Sequence, residues 1–352
     1  MYRAFGYMLS AMTPHMSPEN VPNPALVFDV LQSYQRTWAL KAAIELDLFR
    51  AIGESGGDLA SIAKRCSASE RGTRILCDFL VISGLLTKEN GHYSLTPTSA
   101  TFLDTRSPAS LASVATFLSN PMMVDTFKEL AAIVRNGRTI LPGDGSVEPE
   151  NPIWVEFAES MTPMMGPVAG PMADLVLEGK SGPMRVLDIA AGHGLFGIAV
   201  AQKNPQARIV GLDWAAVLQV AKRNAEKAGV QDRYEVLPGS AFDVPFGGPY
   251  DAVLLTNFLH HFDHPTNVSL LRKVHEALKP GGVAATLEFV PNDDRVSPPQ
   301  AASFALTMLG STPSGDAYTL KELTAMYEEA GFHTVTGHPI PMSPQTVVVG
   351  RA

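Results

Sequence analysis

Residues 186–197 read VLDIAAGHGLFG and hold a complete G-x-G-x-x-G at Gly192, Gly194 and Gly197. Where a strand turns sharply into a helix, glycine permits positive φ and lets a ligand approach the backbone. Gly197 falls inside that helix, where it eases packing. The pattern's usual ligand is a dinucleotide pyrophosphate. Asp188 argues against one: it lies four residues before Gly192, at the carboxyl end of the strand, and would repel phosphate. S-adenosylmethionine carries an ammonium and a sulfonium and no phosphate, so a carboxylate suits it, directly or through a water. Capping a helix or organising the loop is the structural alternative for Asp188. Asp213 ends the next strand, in GLDW, twenty-one residues beyond Gly192. A carboxylate there commonly accepts both ribose hydroxyls, which serves nicotinamide and S-adenosylmethionine equally; otherwise it caps the helix beginning near Ala215. Trp214 covers the adenine or merely packs. The turn PGSAFD brings Ser240, Ala241 and Phe242 to the expected adenine edge, with Ser240 or Asp243 to bond the amine and Phe242 as wall. An ordinary turn explains Asp243 equally well. Asn257 closes the fourth strand, DAVLLTN, and completes the candidate cofactor set.

The fourth strand leads into FLHHFDHPTN. His260, His261 and His264 with Asp263 invite a metal, but a metal needs converging side chains. Adjacent histidines tend to point apart, and Pro265 restricts His264 to an extended backbone. No second carboxylate-rich segment completes a site, so no metal is expected. His261 and His264 read as exposed or helix-capping residues. His260 differs, because it follows an apolar strand at the carboxyl edge of the sheet, where open α/β sheets bind ligands. Glu288 ends the following strand, in TLEF, within plausible reach of that imidazole. A carboxylate on one ring nitrogen fixes the tautomer and raises the basicity of the other. Such a base would take the proton of a methyl acceptor. A phenol near 10 and an imidazole near 6.5 differ by roughly 3.5 units, about 5 kcal/mol, which coupled transfer can carry. An alkyl hydroxyl, near the ~16 of water, is poorly matched. Acidic phenolic or enolic hydroxyls are favoured; a thiol asks less of the base, and a thioether asks nothing. Trp154, Phe157, Met161, Met164, Met165, Phe304 and Met308 are candidates for an adaptable apolar acceptor wall, with interdomain core as the alternative for each.

These side chains need a scaffold, and the rest of the chain supplies its outline. The 352 residues are 45% hydrophobic and carry a net charge of −8, enough for two cored domains and unsuited to broad nucleic-acid or anionic-membrane binding. No apolar run approaches the roughly 18 residues of a membrane helix. MYRAFGYMLSAMTPHM reads as a loose leader rather than a signal peptide, and Cys66 and Cys77 as inert cytoplasmic thiols. From Phe28 to Phe49 apolar residues recur at helical spacing. Asp58 and Ser69 open two further helices, the second running to Ile82, and two short strands meet at Asn90-Gly91. Three helices and a β-wing make a winged helix. Residues 1–110 hold ten Lys/Arg and ten Asp/Glu, and the third helix, ERGTRILCDFLVISGLL, is mostly apolar. A DNA reader needs phosphate neutralisers there; an apolar surplus suits dimerisation instead. We assign residues 1–109 to this domain, 110–180 to a helical linker contributing to the acceptor pocket, and 181–352 to the cofactor domain. In the last, MRVLDI, ARIVGLD, YEVLP, YDAVLLT and VAATLEF alternate with helical segments, which implies a parallel, doubly wound sheet. Residues 332–336 and 346–350, joined by a Pro-rich turn without a helix, read as a closing antiparallel hairpin.

The segment from Val186 to Gly282 resembles the class I S-adenosylmethionine-dependent methyltransferases. With the winged helix included, the whole chain resembles the dimeric small-molecule O-methyltransferases, the family of caffeate, chalcone, acetylserotonin and bacterial polyketide enzymes. LDIAAGHG, GLDW, LLTNFLHHFD, LKPGG and TLKELTAMYEEAGF carry the likeness. It implies a Rossmann-like seven-stranded sheet, a homodimer, a small-molecule acceptor and S-adenosylmethionine as methyl donor. The family's His-Asp-Trp becomes His260-His261-Phe262, so the resemblance puts the catalytic base at His260 and its orienting acid at Glu288. A second family acid falls on Ala317, and the acid of the cofactor loop falls on Ser240. S- or C-methylation on the same scaffold is the alternative chemistry. A winged-helix DNA-binding sensor and a nicotinamide dehydrogenase are the other readings; Asp188 and the terminal hairpin oppose the latter.

Overall fold

The computed structural model describes residues 22–352, so the leader segment lies outside the described residues. The chain divides into two compact units that meet between Ser119 and Asn120.

In the first unit, helices Ala25–Glu45, Leu48–Ile52, Leu59–Arg65 and Glu70–Ile82 accompany a three-stranded sheet of β1 (Gly57–Asp58), β2 (Leu86–Glu89) and β3 (His92–Leu95) in the order β1-β3-β2. The helix starts are chemically specified. Asp58 accepts from the Ser61 N–H at 2.8 Å, and Ser69 from that of Gly72 at 3.2 Å, each satisfying a donor that the first helical turn leaves free. The hairpin turns through Asn90 and Gly91, both at positive φ. The stretch of helical spacing from Phe28 to Phe49 is divided between two helices by Asp47, at φ 49°. Its apolar residues are also not all core: Leu26, Leu31 and Tyr34 stay exposed, while Leu48, Phe49, Ile52, Cys77 and Leu80 fill the interior. Burial pushes the Cys77 thiol up to about 12.

The second unit is built on a seven-stranded sheet. Its strands are β4 (Met184–Ile189), β5 (Ala207–Asp213), β6 (Tyr234–Pro238), β7 (Tyr250–Thr256), β8 (Leu278–Phe289), β9 (His333–Pro339) and β10 (Gln345–Arg351), in the order β6-β5-β4-β7-β8-β10-β9. The strands β4 to β8 are parallel, and β10 runs antiparallel between β8 and β9. Helices Leu195–Lys203, Ala215–Lys227, His264–Ala277 and Leu320–Glu329 alternate with the strands as the sequence implies. β8 begins at Leu278, ahead of the expected Val283, with a register irregularity against β7. The core runs through Leu187, Ile189, Val253, Leu255, Leu271 and Leu323. Chain order reverses between β4 and β7, and the carboxyl ends there are where open sheets hold ligands. Among the described residues no helix is long and apolar enough to cross a membrane.

Candidate active site

The turn after β4 needs its glycines for conformation: Gly192 and Gly194 stand at φ 56° and 74°, and the non-glycine Ala190 joins them at 52°. Gly197 is required for space, since a Cβ there would lie 2.6 Å from Ile209 Cγ2 and 3.0 Å from Asp188 Oδ2. Asp188 is fully buried beneath this helix start, where Oδ2 accepts from the Gly197 N–H at 3.1 Å and Oδ1 has no partner among the described residues. Burial pushes its carboxyl up to about 8. Asp213 Oδ2 accepts from the Gly192 N–H at 2.8 Å, and Oδ1 from the Trp214 N–H at 2.7 Å, so one carboxylate ties the glycine turn to the neighbouring strand end. Burial raises Asp213 to about 6. Trp214 is half-buried in a small apolar cluster with Ala158 and Val217. Ser240 Oγ accepts from the Phe242 N–H at 3.1 Å, Ala241 is buried, and Phe242 stays exposed with its ring 4.9 Å from that of Phe262. Lys273, which the sequence did not single out, binds the carbonyls of Ala241, Phe242 and Val244 and braces this turn. A buried carboxylate oxygen without a partner among the described residues, a glycine turn at positive φ and an exposed aromatic ring fit a cationic nucleoside such as S-adenosylmethionine.

Beside it, the short turn Leu259–His261 carries the histidines. His260 Nδ1 hydrogen-bonds Glu288 Oε2, and Glu288 Oε1 accepts from the Phe258 and Leu259 N–H groups at 3.1 and 2.9 Å. Both side chains are buried. The His260 carbonyl accepts from the Asp316 N–H at 3.0 Å. Ala317 is buried and brings no acid; its neighbour Asp316 directs its carboxylate to Arg295 at 3.2 Å.

Two expectations about the histidines need correction. His261 is buried, because the tight turn brings its ring to 4.2 Å from that of His260 and Trp154 packs against it at 5.1 Å. Its Nδ1 lacks a partner among the described residues, and burial together with His260 holds its pKa well below the ordinary value. His264 is not extended: it opens helix His264–Ala277, with Pro265 in the first turn, where a missing N–H costs no hydrogen bond. The extended residue is Asp263, which caps the helix through the Thr266 N–H at 3.0 Å. His264 meets Glu329 at 3.1 Å.

The candidate acceptor residues are only partly brought together. Phe304 packs 4.8 Å from His260 and stacks on Phe289; Trp154 adjoins both His261 and Phe157. Phe157 continues to His193 in the glycine turn, at 6.1 Å and nearly parallel. Met165 reaches Asn257, whose Nδ2 lies 3.9 Å from its sulfur. Met161 and Met308 are buried and Met164 is half-buried. Besides Lys273, two more residues carried no clear signal in the sequence. His193, pushed down to about 4 by burial, accepts from the Leu195 N–H at 3.3 Å. Gln345 donates to Asn257 Oδ1. The first sat between two noticed glycines; the second had no local signal at all.

An open sheet of this strand order, closed by an antiparallel hairpin and carrying a carboxylate beneath its glycine turn, is that of a class I methyltransferase. A family profile described as the O-methyltransferase domain matches residues 174–333, and one described as the O-methyltransferase dimerisation domain matches residues 28–105. A solved structure from Nostoc punctiforme, assigned as an O-methyltransferase, is 48% identical, with a TM-score of 0.92 over 94% of this chain and 100% of its own. The 3-hydroxy-5-methyl-1-naphthoate 3-O-methyltransferase of Streptomyces sahachiroi is 27% identical over 90% of this chain and 91% of its own. The L-tyrosine C(3)-methyltransferase of Streptomyces lavendulae is 26% identical over 75% and 74%. The chain belongs to the O-methyltransferase family and is an S-adenosylmethionine-dependent methyltransferase.

Proposed function

We propose that the chain methylates an acidic hydroxyl, phenolic or enolic, on an apolar small molecule, with His260 as general base and Glu288 as its orienting partner. The observation that carries this reading is the buried His260–Glu288 hydrogen bond. With Nδ1 engaged by the carboxylate, Nε2 is the atom that receives the acceptor's proton. Glu288 is itself held by two backbone N–H groups, so the imidazole keeps one tautomer and one orientation. Gly192, Gly194, Asp188, Asp213, Trp214, Ser240, Ala241, Phe242 and Asn257 would hold the methyl donor, whose sulfonium supplies an electrophilic methyl group when bound. Trp154, Phe157, Met161, Met164, Met165, Phe304 and Met308 would wall the acceptor and exclude water, and alignment by such walls is a large part of the rate. Residues 1–109 would serve homodimerisation, 110–180 the acceptor pocket and 181–352 the cofactor. The naphthoate O-methyltransferase among the relatives supports a phenolic acceptor.

Carbon methylation is the second reading, favoured by the tyrosine C-methyltransferase relative. The same base then creates a phenolate whose ring carbon attacks. Release of S-adenosylhomocysteine across phenols, enols, thiols and aliphatic alcohols, with product analysis, separates the two. Replacing His260 by Gln should leave cofactor affinity intact and lower turnover by about 10²–10⁴. Undiminished turnover would remove His260 from the base role.

A further inference from the structure

Asn257 holds an unusual position. It is a non-glycine residue at φ 54° directly after β7, with its backbone N–H bonded to the Leu287 carbonyl at 2.9 Å. Asparagine is among the few non-glycine residues that adopt this left-handed backbone readily, because its short amide can hydrogen-bond locally. Its amide is engaged unequally. Oδ1 accepts from Gln345 Nε2, whereas Nδ2 meets, among the described residues, only the Met165 sulfur at 3.9 Å, a weak acceptor. The side chain is half-buried and stands three residues before His260. Gln345 is buried at the start of β10, opposite Phe289 and beside Thr346, which pairs with Glu288. The closing hairpin thus reaches across to the strand end on the far side of β8.

We propose that Gln345 is a positioning residue: by occupying Asn257 Oδ1 it leaves the NH2 end facing Met165, with only that weak acceptor, free to donate to an oxygen of a bound ligand. A carboxamide has two nearly isosteric orientations, and a donor at Oδ1 selects one. The proposal rests on Asn257 as a ligand contact. The oxygen belongs either to the methyl donor, in its carboxylate or ribose, or to the acceptor beside its reacting hydroxyl.

Calorimetry with S-adenosylhomocysteine and steady-state KM for a turned-over phenol distinguish these sources. Asn257→Ala should weaken one of them about tenfold, the scale of one hydrogen bond to a polar or charged group. Gln345→Glu offers only acceptors, forces the Asn257 amide to reverse, and should weaken the same ligand at least as much. Gln345→Met, which adds no charge beside Glu288, should weaken it about threefold to tenfold without lowering the melting temperature in proportion, and keeps the test open if the Glu variant does not fold. In the Asn257→Ala background Gln345→Met should cause no further loss. Additive losses, or a Met variant that lowers melting temperature while leaving both affinities unchanged, overturn the positioning role. A silent Asn257→Ala overturns it at its base, by removing Asn257 as a ligand contact.

Discussion

Asp188 couples the cofactor turn to pH. In the native protein it keeps its proton up to about pH 8, while an unfolded aspartate loses it near about 3.9. Between those values the native state binds more protons than the unfolded one, so stability falls as pH rises. Asp213 contributes in the same sense up to about 6. His193 and His261 act oppositely: held neutral by burial, they add stability as pH rises to about 6.5 and nothing further above it. From about pH 6.5 to 8 the Asp188 slope therefore stands clear of the other three. The melting temperature of the ligand-free protein should decline across that window, and Asp188→Asn should flatten the decline. A slope that survives the substitution would assign it to another group. The same burial makes a cation the natural partner of the unpartnered Oδ1, since a positive charge favours the ionised carboxyl.

At the scale of elements, the glycine turn works because helix Leu195–Lys203 packs directly on two strands. Gly197 permits that approach, and the space a methyl would need is taken by Ile209 and Asp188. Gly197→Ala should cost about 1–3 kcal/mol of stability, the usual penalty for overpacking, and should weaken S-adenosylhomocysteine binding by displacing Asp188. Thermal unfolding and calorimetry check the two effects separately; an unchanged melting temperature would mean that the helix slides without cost. The histidine turn is braced in the same way. Asp263 caps the following helix, and Glu288 takes two N–H groups at the start of the turn. His260 is thereby held between two rigid elements.

For the whole molecule, helix Ala25–Glu45 presents a run of exposed apolar residues. Leu31 is 64% exposed, and Leu26, Val27, Phe28, Val30 and Tyr34 are similarly open. They belong to or border the segment matched by the dimerisation profile, residues 28–105. Light scattering should give twice the 37.7 kDa of the chain, and Leu31→Glu should shift the mass toward one chain by burying a charge in an apolar interface. A Leu31→Glu protein that keeps the doubled mass would exclude this helix as the contact.

The sequence by itself determined the strand and helix alternation, the glycine turn, the carboxylates at the ends of β4 and β5, the winged helix and the closing hairpin. Each is a local pattern of period, cap or turn residue, legible within a few residues of chain. It also nominated His260 and Glu288, because strand ends in an open sheet converge on one edge. Only tertiary structure decided what those residues touch. His261 became buried because a tight turn, rather than the polarity of its side chain, set its direction. Asp188 proved to lie beneath the helix, and Gln345, eighty-eight residues from Asn257, came to hold its amide. The physical reason is that burial and long-range hydrogen bonding depend on how distant segments close on one another, which no local spacing encodes.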